Sequence, residues 1–410
     1  MLDIQFIREN TEKVKKGVAA KQLSPSIVDK VLELDEKRRK LIVEIEELRS
    51  KRNKIAAEGK ASEEGKKVKE ELKDKEPELV KVEGDYKKAL FEIPNLPADD
   101  VKEGKSEADN EILRKEGEIR KFDFDPKEHL ALGEALDIID VERAVKVSGT
   151  RFGYLKGDAV LLEFALIQFA METLTKEGFT PVVPPVLIKK EMMRGMGYLE
   201  HGGEEDMYVF DKDSLVLVGT SEQSLGPMHA NEVLDEKKLP LRYVGFSPCF
   251  RRESGSYGKD TRGIIRVHEF DKVEMFSFTR PEESDKEHEY LLSIEEKLFK
   301  ALDIPYRVVK MCTGDLGGPA ARKYDLEAWL PGQGTYREVT STSTTTDFQA
   351  RRLNIKYRDA GKTEYVHTLN GTAFAIGRTI IAILENYQEK DGSVVIPEVL
   401  QKYMGKEKIG

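Results

Sequence analysis

A chain of 410 residues is too long for one ordinary domain and suits two or three. Apolar residues at 39% supply a sizeable core, and charged residues at 35%, above the roughly 25% usual in globular proteins, call for an unusually solvated segment. Two cysteines, Cys249 and Cys312, exclude a disulfide framework and argue against a Cys-built zinc site; a net charge of −9 disfavours a nucleic-acid partner unless a local basic surface opposes the overall sign.

The start, Met1-Leu2-Asp3-Ile4, has neither a basic opening nor a long apolar run, so it does not read as a signal peptide. The most apolar stretch, Ala159 to Leu174, carries Glu163, Gln168 and Glu172 and is too short and polar to span a bilayer. These features predict a soluble cytoplasmic protein with no membrane partner.

After a short amphipathic opening (Ile4, Ile7, Val14, Val18), Ser24-Pro25-Ser26 predicts a helix start. Apolar residues then recur at Ile27, Val31, Leu34, Leu41, Ile45, Leu48 and Ile55, with Arg38 and Arg52 in the remaining slots. The pattern resumes with Val68, Leu72, Leu79, Val82, Tyr86, Ala89 and Ile93, and Lys75 fills its gap. A sustained period of 3.5 specifies helices packed through a narrow seam. The short turn at Gly59 to Ser62 makes an antiparallel hairpin over about 27–93, an arm of roughly 45 Å at 1.5 Å per residue. Pro77 is expected to kink the second helix, and Asn95 to Asp99 reads as a linker. Near the turn, Arg49, Lys51, Arg52, Lys54, Lys60, Lys66, Lys67 and Lys69 meet only Glu58, Glu63 and Glu64. Such a surplus reads either as a solvated coiled-coil tip or as a sequence-independent contact to phosphates; its distal position favours the second.

From about Ile112 onward the pattern changes to strands and helices punctuated by Gly and Pro, without internal repeats. No G-x-x-x-x-G-K-[ST] is present, Gly332-Gln333-Gly334 lacks the third glycine of a dinucleotide fingerprint, and the six histidines show no metal-ligand spacing. A strand, loop, strand unit carries the charge instead. One strand is predicted over Leu241 to Arg252 and the other over Ile264 to Phe276. Between them lies a loop with Gly255, Gly258 and Gly263 and with Lys259, Asp260 and Arg262. Alternation puts Cys249, Arg251 and Glu253 on one face, and Arg266, Phe270 and Glu274 on one face of the partner. Such residues are poor core material. They form surface ion pairs or line a site for a ligand with phosphates and an amine.

Phe250-Arg251-Arg252-Glu253 followed by Arg266-x-x-x-Phe270 resembles motif 2 of the class II aminoacyl-tRNA synthetases (about 241–276). Gly178 to Leu187, with Pro185 after an amphipathic helix, resembles motif 1 (about 161–187). Gly371-Thr372-Ala373-Phe374-Ala375-Ile376-Gly377-Arg378 and the apolar run Thr379 to Leu384 resemble motif 3 (about 367–386). Within the class, the chain is similar to the seryl-tRNA synthetases over essentially its full length. The hairpin, Thr220-Ser221-Glu222, Tyr336 to Ser341, Asp347 to Arg352 and His367 to Thr372 carry that likeness. One departure is Gly377, where many members have a larger, often acidic residue.

The resemblance implies an α+β protein. An N-terminal domain over 1–100 bears a two-helix coiled-coil arm, and a catalytic domain over 101–410 is built on an antiparallel sheet flanked by helices. It implies activation of L-serine with ATP and transfer to tRNA(Ser), with selenocysteine tRNA as a second candidate acceptor, by a homodimer joined through motif 1. By likeness, Arg251 and Arg378 are catalytic. Arg251, Glu253, Arg266, Val267, Phe270, Glu338, Val339, Thr340, Ser341 and Arg378 bind ATP. Thr220, Glu222, Arg251, Glu274, Asn370 and Thr372 bind serine. Glu338 and Ser341 hold magnesium, and Arg49, Lys51, Arg52, Lys54, Lys66, Lys67 and Lys69 contact tRNA. Glu338 and Ser341 have opposite strand parity, so irregular geometry is expected there. No zinc is expected. The rivals are another class II specificity (threonyl or prolyl), a carrier-protein amino-acid ligase on the same body, and a coiled-coil scaffold with an inactive body.

Overall fold

The computed structural model describes residues 1–57, 63–254 and 262–410 and divides into two units, Met1–Leu96 and Pro97–Gly410. The expected turn at Gly59 to Ser62, with Glu58 and Lys60, lies outside the described residues, as do loop positions Gly255, Gly258, Lys259 and Asp260.

Among the described residues the first unit has four helices: α1 (Ile4–Glu9), α2 (Thr11–Ala20), α3 (Ser26–Ala57) and α4 (Glu63–Glu92). Asp3 opens α1 by accepting from the backbone N–H groups of Gln5 and Phe6, the usual service of an N-cap carboxylate. Ion pairs Lys37–Glu78, Arg49–Glu76 and Lys51–Glu64 take opposite orders along α3 and α4, so the two helices run antiparallel. The seam buries Val31, Leu41, Ile45, Val68, Leu72, Val82 and Ala89, with Leu34 and Leu48 half-buried. Val28 is buried rather than Ile27. Pro77 lies inside α4, which runs through it without a break. The proline is exposed, so the carbonyl four residues back that loses its donor faces solvent.

A carboxylate also lies in the seam, which the apolar pattern did not foretell. Asp35 is fully buried. Arg8 of α1 donates to it through Nε and Nη2 at 2.8 Å each, and Arg39 Nε donates at 3.1 Å. Arg38 reaches the same carboxylate only at 3.8 Å, its guanidinium lying 4.9 Å from the Tyr86 ring centroid. The bidentate pair ties α1 to the arm.

In the second unit eight strands form one sheet: β1 (Glu111–Glu116), β2 (Thr180–Val182), β3 (Leu241–Phe250), β4 (Glu269–Thr279), β5 (Tyr306–Lys310), β6 (Arg322–Leu330), β7 (Thr335–Thr344) and β8 (His367–Ala375). Their spatial order is β1-β5-β6-β7-β8-β4-β3-β2. Neighbours are antiparallel except β2 beside β3. The core packs one face of the sheet against α5 (Asp158–Lys176), α6 (Ser284–Ala301) and α8 (Ile376–Asn386), while the short α7 (Phe348–Leu353) joins a second cluster with Phe276 and Phe278. On α5 the positions Leu162, Leu166, Ala170 and Leu174 face inward at helical spacing. Among the described residues, no helix is long and apolar enough to cross a membrane.

Two local departures from regular sheet matter. The hairpin strands are shorter than expected: β3 stops at Phe250, and β4 begins at Glu269. The chain leaves the ladder through left-handed Glu253 (φ 53°) and Gly263 (φ 70°), where a Cβ would lie 2.1 Å from His129 Nε2. Arg251 and Arg266 therefore stand beyond the strand ends, and the strand-face grouping expected for them does not apply. Second, register shifts leave Val339 on β7 and Ala373 on β8 without an opposite residue; both are β-bulges.

Asp35→Ala removes the anchor for α1 and leaves three arginines to find water. Because those arginines are part exposed, the expected loss is about 2 kcal/mol, below the range for stranding a buried charge. Hydrogen exchange should show it as lost amide protection in Ile4–Glu9; unchanged protection would refute the anchor.

Candidate functional site

A cavity of about 400 Å³ opens over the sheet face opposite α6. Thr220, Glu222, Arg251, Glu253, Arg266, Val267, Phe270, Glu338, Val339, Thr340, Ser341, Asn370, Thr372 and Arg378 all line it. Glu274 sits beneath this lining, fully buried, and bonds to two of its members. Val339 and Thr340 contribute backbone only, since Val339 packs in the core and the Thr340 hydroxyl donates to Glu295 on α6.

At the end of β3, Arg251 Nε donates to the Gly219 carbonyl at 3.2 Å, and its guanidinium lies 5.3 Å from the Phe270 ring centroid. His268 Nδ1, 2.9 Å from the Arg251 carbonyl, and the Arg251 N–H to His268 O hold the backbone there. Arg266 donates to Glu253 Oε2 at 2.7 Å. Arg378, in the first turn of α8, donates to the Glu338 carboxylate at 3.0 Å and to its carbonyl at 2.9 Å. Gly377 sits in that same turn, where a Cβ would make only an ordinary 3.7 Å contact. Deeper in the cavity, Glu274 accepts from Thr372 Oγ1 at 3.0 Å and Asn370 Nδ2 at 3.2 Å. Glu222 accepts from Tyr198 at 2.9 Å and Gln349 at 3.1 Å.

Sequence reasoning missed Lys272, whose ammonium lies 2.7 Å from Glu274; it shares strand parity with Phe270 and Glu274, the signal that could have found it. Tyr198 carried no such signal, being remote in sequence from every motif strand; Gln349 lies within the Asp347 to Arg352 stretch that carries the family likeness, but that likeness attaches no role to it. Lys323, half-buried beside Asp325 at 3.1 Å, adds a cation to the wall.

These surroundings move protons. Burial, then the charge of Glu274, pushes Glu222 up to about 7 against the hydrogen bonds from Gln349 and Tyr198. For Glu338 burial works against ionisation, but Arg378 and then Lys323 outweigh it and hold the carboxyl at about 2. The bulge at Val339 brings Glu338 and Ser341 to the same face despite their odd spacing. An ionised carboxylate and a hydroxyl there form an oxygen donor set that suits magnesium, which binds few protein ligands and shares the rest with phosphates and water. Arg49, Lys51 and Lys66 on the arm are paired with Glu76, Glu64 and Glu63; among the described residues, exposed Arg52, Lys54, Lys67 and Lys69 have no acidic partner.

Residues 1–97 match the seryl-tRNA synthetase N-terminal domain, and residues 208–387 match the tRNA synthetase class II core domain (G, H, P, S and T). The serine–tRNA ligase of Dictyoglomus turgidum is 49% identical over 417 aligned residues, covering 99% of this chain and 98% of its own. Among solved structures, a seryl-tRNA synthetase from Pyrococcus horikoshii complexed with ATP is similar with a TM-score of 0.94 at 45% identity, covering 100% of this chain and 99% of its own. A cytoplasmic serine–tRNA ligase from Naegleria fowleri in complex with AMP follows with a TM-score of 0.91 at 35% identity, covering 100% and 98%.

The raised Glu222 yields a test of the cavity's charge. A carboxyl that titrates at about 7 folded and near 4.5 unfolded keeps its proton in the folded state across that window, so its contribution to stability is present below 4.5 and is lost as pH rises toward 7. Between pH 5 and pH 8 the protein should lose roughly 2.5 kcal/mol more than Glu222→Gln. Urea midpoints of both proteins at the two pH values measure this, and parallel losses would refute it.

Proposed function

Because the chain belongs to the seryl-tRNA synthetase family of class II and has its serine–tRNA ligase activity, we propose that this one cavity joins serine to ATP and then passes the seryl group to the 3′ end of tRNA(Ser). The observation that carries the residue roles is convergence: residues from 220–222, 250–253, 264–270, 338–341 and 370–378 meet around one cavity. The N-terminal domain match over 1–97 speaks against another class II specificity and a carrier-protein ligase, and the presence of Arg251, Glu338 and Arg378 against an inactive scaffold.

In this reading Arg251 bridges the serine carboxylate and the ATP α-phosphate, since a planar guanidinium can donate to both. Phe270 stacks on adenine, Glu253 and the backbone near Val267 bond to its edge, and Arg266 and Arg378 grip the outer phosphates. Val339 and Thr340 act through their backbone. Glu338 and Ser341 hold magnesium, which supplies charge neutralisation at the triphosphate when bound. Glu222 and Thr220 receive the serine ammonium, while Glu274, positioned by Asn370 and Thr372, accepts from its hydroxyl. A site built to bond a hydroxyl rejects alanine by roughly 10⁴–10⁵, because its polar groups would go unpaired.

The serine carboxylate, already ionised, attacks the α-phosphorus. The bond to the bridging oxygen breaks, and pyrophosphate leaves with the electron pair. Positioning and charge stabilisation therefore matter more than a general base. The terminal tRNA hydroxyl then attacks the seryl carbonyl and gives its proton to water, while the bond from the carbonyl carbon to the phosphate oxygen breaks and AMP departs with the electron pair.

The partner readings rest on two surfaces. Arg49, Lys51, Arg52, Lys54, Lys66, Lys67 and Lys69 take the tRNA backbone, with selenocysteine tRNA as a second acceptor. Exposed Phe164 (61%) on α5 and Val183 (82%) in the motif 1 stretch support a homodimer through that stretch, since exposed apolar residues of this kind mark interfaces. The compartment proposed is the cytoplasm.

Arg251→Ala should lower serine-dependent ATP–pyrophosphate exchange by about 10²-fold or more, the scale for removing one transition-state donor; near-normal exchange would strip Arg251 of its role. Replacing 27–93 with a short linker should leave exchange largely intact and abolish efficient tRNA charging. Charging that survives would mean the arm is not the tRNA handle.

A further inference from the structure

Behind the cavity wall sits an acid that the mechanism above does not use. Glu295 of α6 is fully buried on the far side of the sheet. Its Oε2 accepts from Thr340 Oγ1 at 2.7 Å, and among the described residues nothing bonds to Oε1. Gly371 makes room for it, since a Cβ there would come within 3.1 Å of Oε1.

The reason for a carboxyl at this spot lies in the bulge. In a regular strand Glu338 and Ser341 would face opposite sides. The extra residue at Val339 corrects that parity, but it turns two successive side chains, Val339 and Thr340, toward the helices. Valine belongs among apolar neighbours. A threonine hydroxyl does not, and unpaired it would favour a shifted bulge or a rotated strand. Glu295 supplies the acceptor.

We propose that Glu295 is a positioning residue which, through Thr340, pins the bulge of β7 and so keeps Glu338 and Ser341 together as cation ligands. The inference rests on the magnesium reading of those two residues. Burial, with the charges of Glu274 and Asp325, raises Glu295 well above the carboxylate range despite the Thr340 bond. The group therefore serves as a neutral acceptor, and a glutamine can replace it.

The test is Mn²⁺ binding to the full-length protein with a non-hydrolysable ATP analogue, read from the paramagnetic resonance of free Mn²⁺. Glu295→Leu and Thr340→Val should each weaken Mn²⁺ by about tenfold, the scale for loss of a group that orients a metal ligand. Their combination should add nothing, because both break one bond. Glu295→Gln, which keeps an acceptor oxygen for Thr340, should stay within about twofold of the parent. Glu338→Gln reports on the premise: if it binds Mn²⁺ as tightly as the parent, the magnesium reading falls and this one with it. If Glu338→Gln is weakened while Glu295→Leu and Thr340→Val are not, the premise stands and the positioning role is overturned. Glu295→Gln as weak as Glu295→Leu also overturns it.

Discussion

Charges brought together where water is scarce must be paired, and that constraint shapes the cavity more than any other. Glu274 is fully buried and would cost several kcal/mol unpaired. It is met by one ammonium, one hydroxyl and one amide, from Lys272, Thr372 and Asn370. Arg378 is met by Glu338, and Arg266 by Glu253. Two of the cations that the proposed chemistry needs are thus already held by a carboxylate in a fixed direction, and the third, Arg251, is held by the Gly219 carbonyl. A site arranged this way stabilises developing charge with little reorganisation. The same constraint shows at Glu222, which burial, and then the charge of Glu274, raise to about 7.

Pairing requires direction, and the sheet provides it by being irregular in two places. A strand of strict period two would divide the residues 338–341 between cavity and core. The bulge at Val339 prevents this, and the one at Ala373 changes the parity of β8 just before it feeds α8 and Arg378. The first was legible in the sequence as a conflict: two residues implied to share a ligand stood at an odd spacing. The second was not legible, because no pair of implied roles straddled Ala373.

Other parts were legible for a similar reason and failed for a similar one. The arm showed itself through periodicity, which survives substitution at single positions, so Val31, Leu41, Ile45, Val68, Leu72 and Val82 are buried as the spacing predicts. Asp35 was hidden because its partner, Arg8, comes from another helix, and a buried ion pair leaves no periodic trace. The strands of the charged hairpin were read too long: alternation near Arg251 and Arg266 continued on paper, whereas left-handed Glu253 and Gly263 end the ladder. Gln349 and Glu295 act through contacts across more than forty residues of sequence, and Tyr198 through one across 24. Only the assembled sheet reveals them.

An acidic chain proposed to handle a polyanion must keep its signs apart, and the arm shows how far this goes. Arg49, Lys51 and Lys66 are bound to acids, which at first weakens their case as phosphate contacts. Such exposed pairs contribute little, because water and salt screen them. Exchanging a carboxylate for a phosphate loses little, while release of counterions from the nucleic acid remains a full gain. Arg52, Lys54, Lys67 and Lys69 need not exchange at all, having no acid among the described residues. The net charge of −9 is therefore compatible with a basic arm tip: a polyanion meets the local field within about one Debye length, some 8–10 Å at physiological salt, and not the charge of the whole chain.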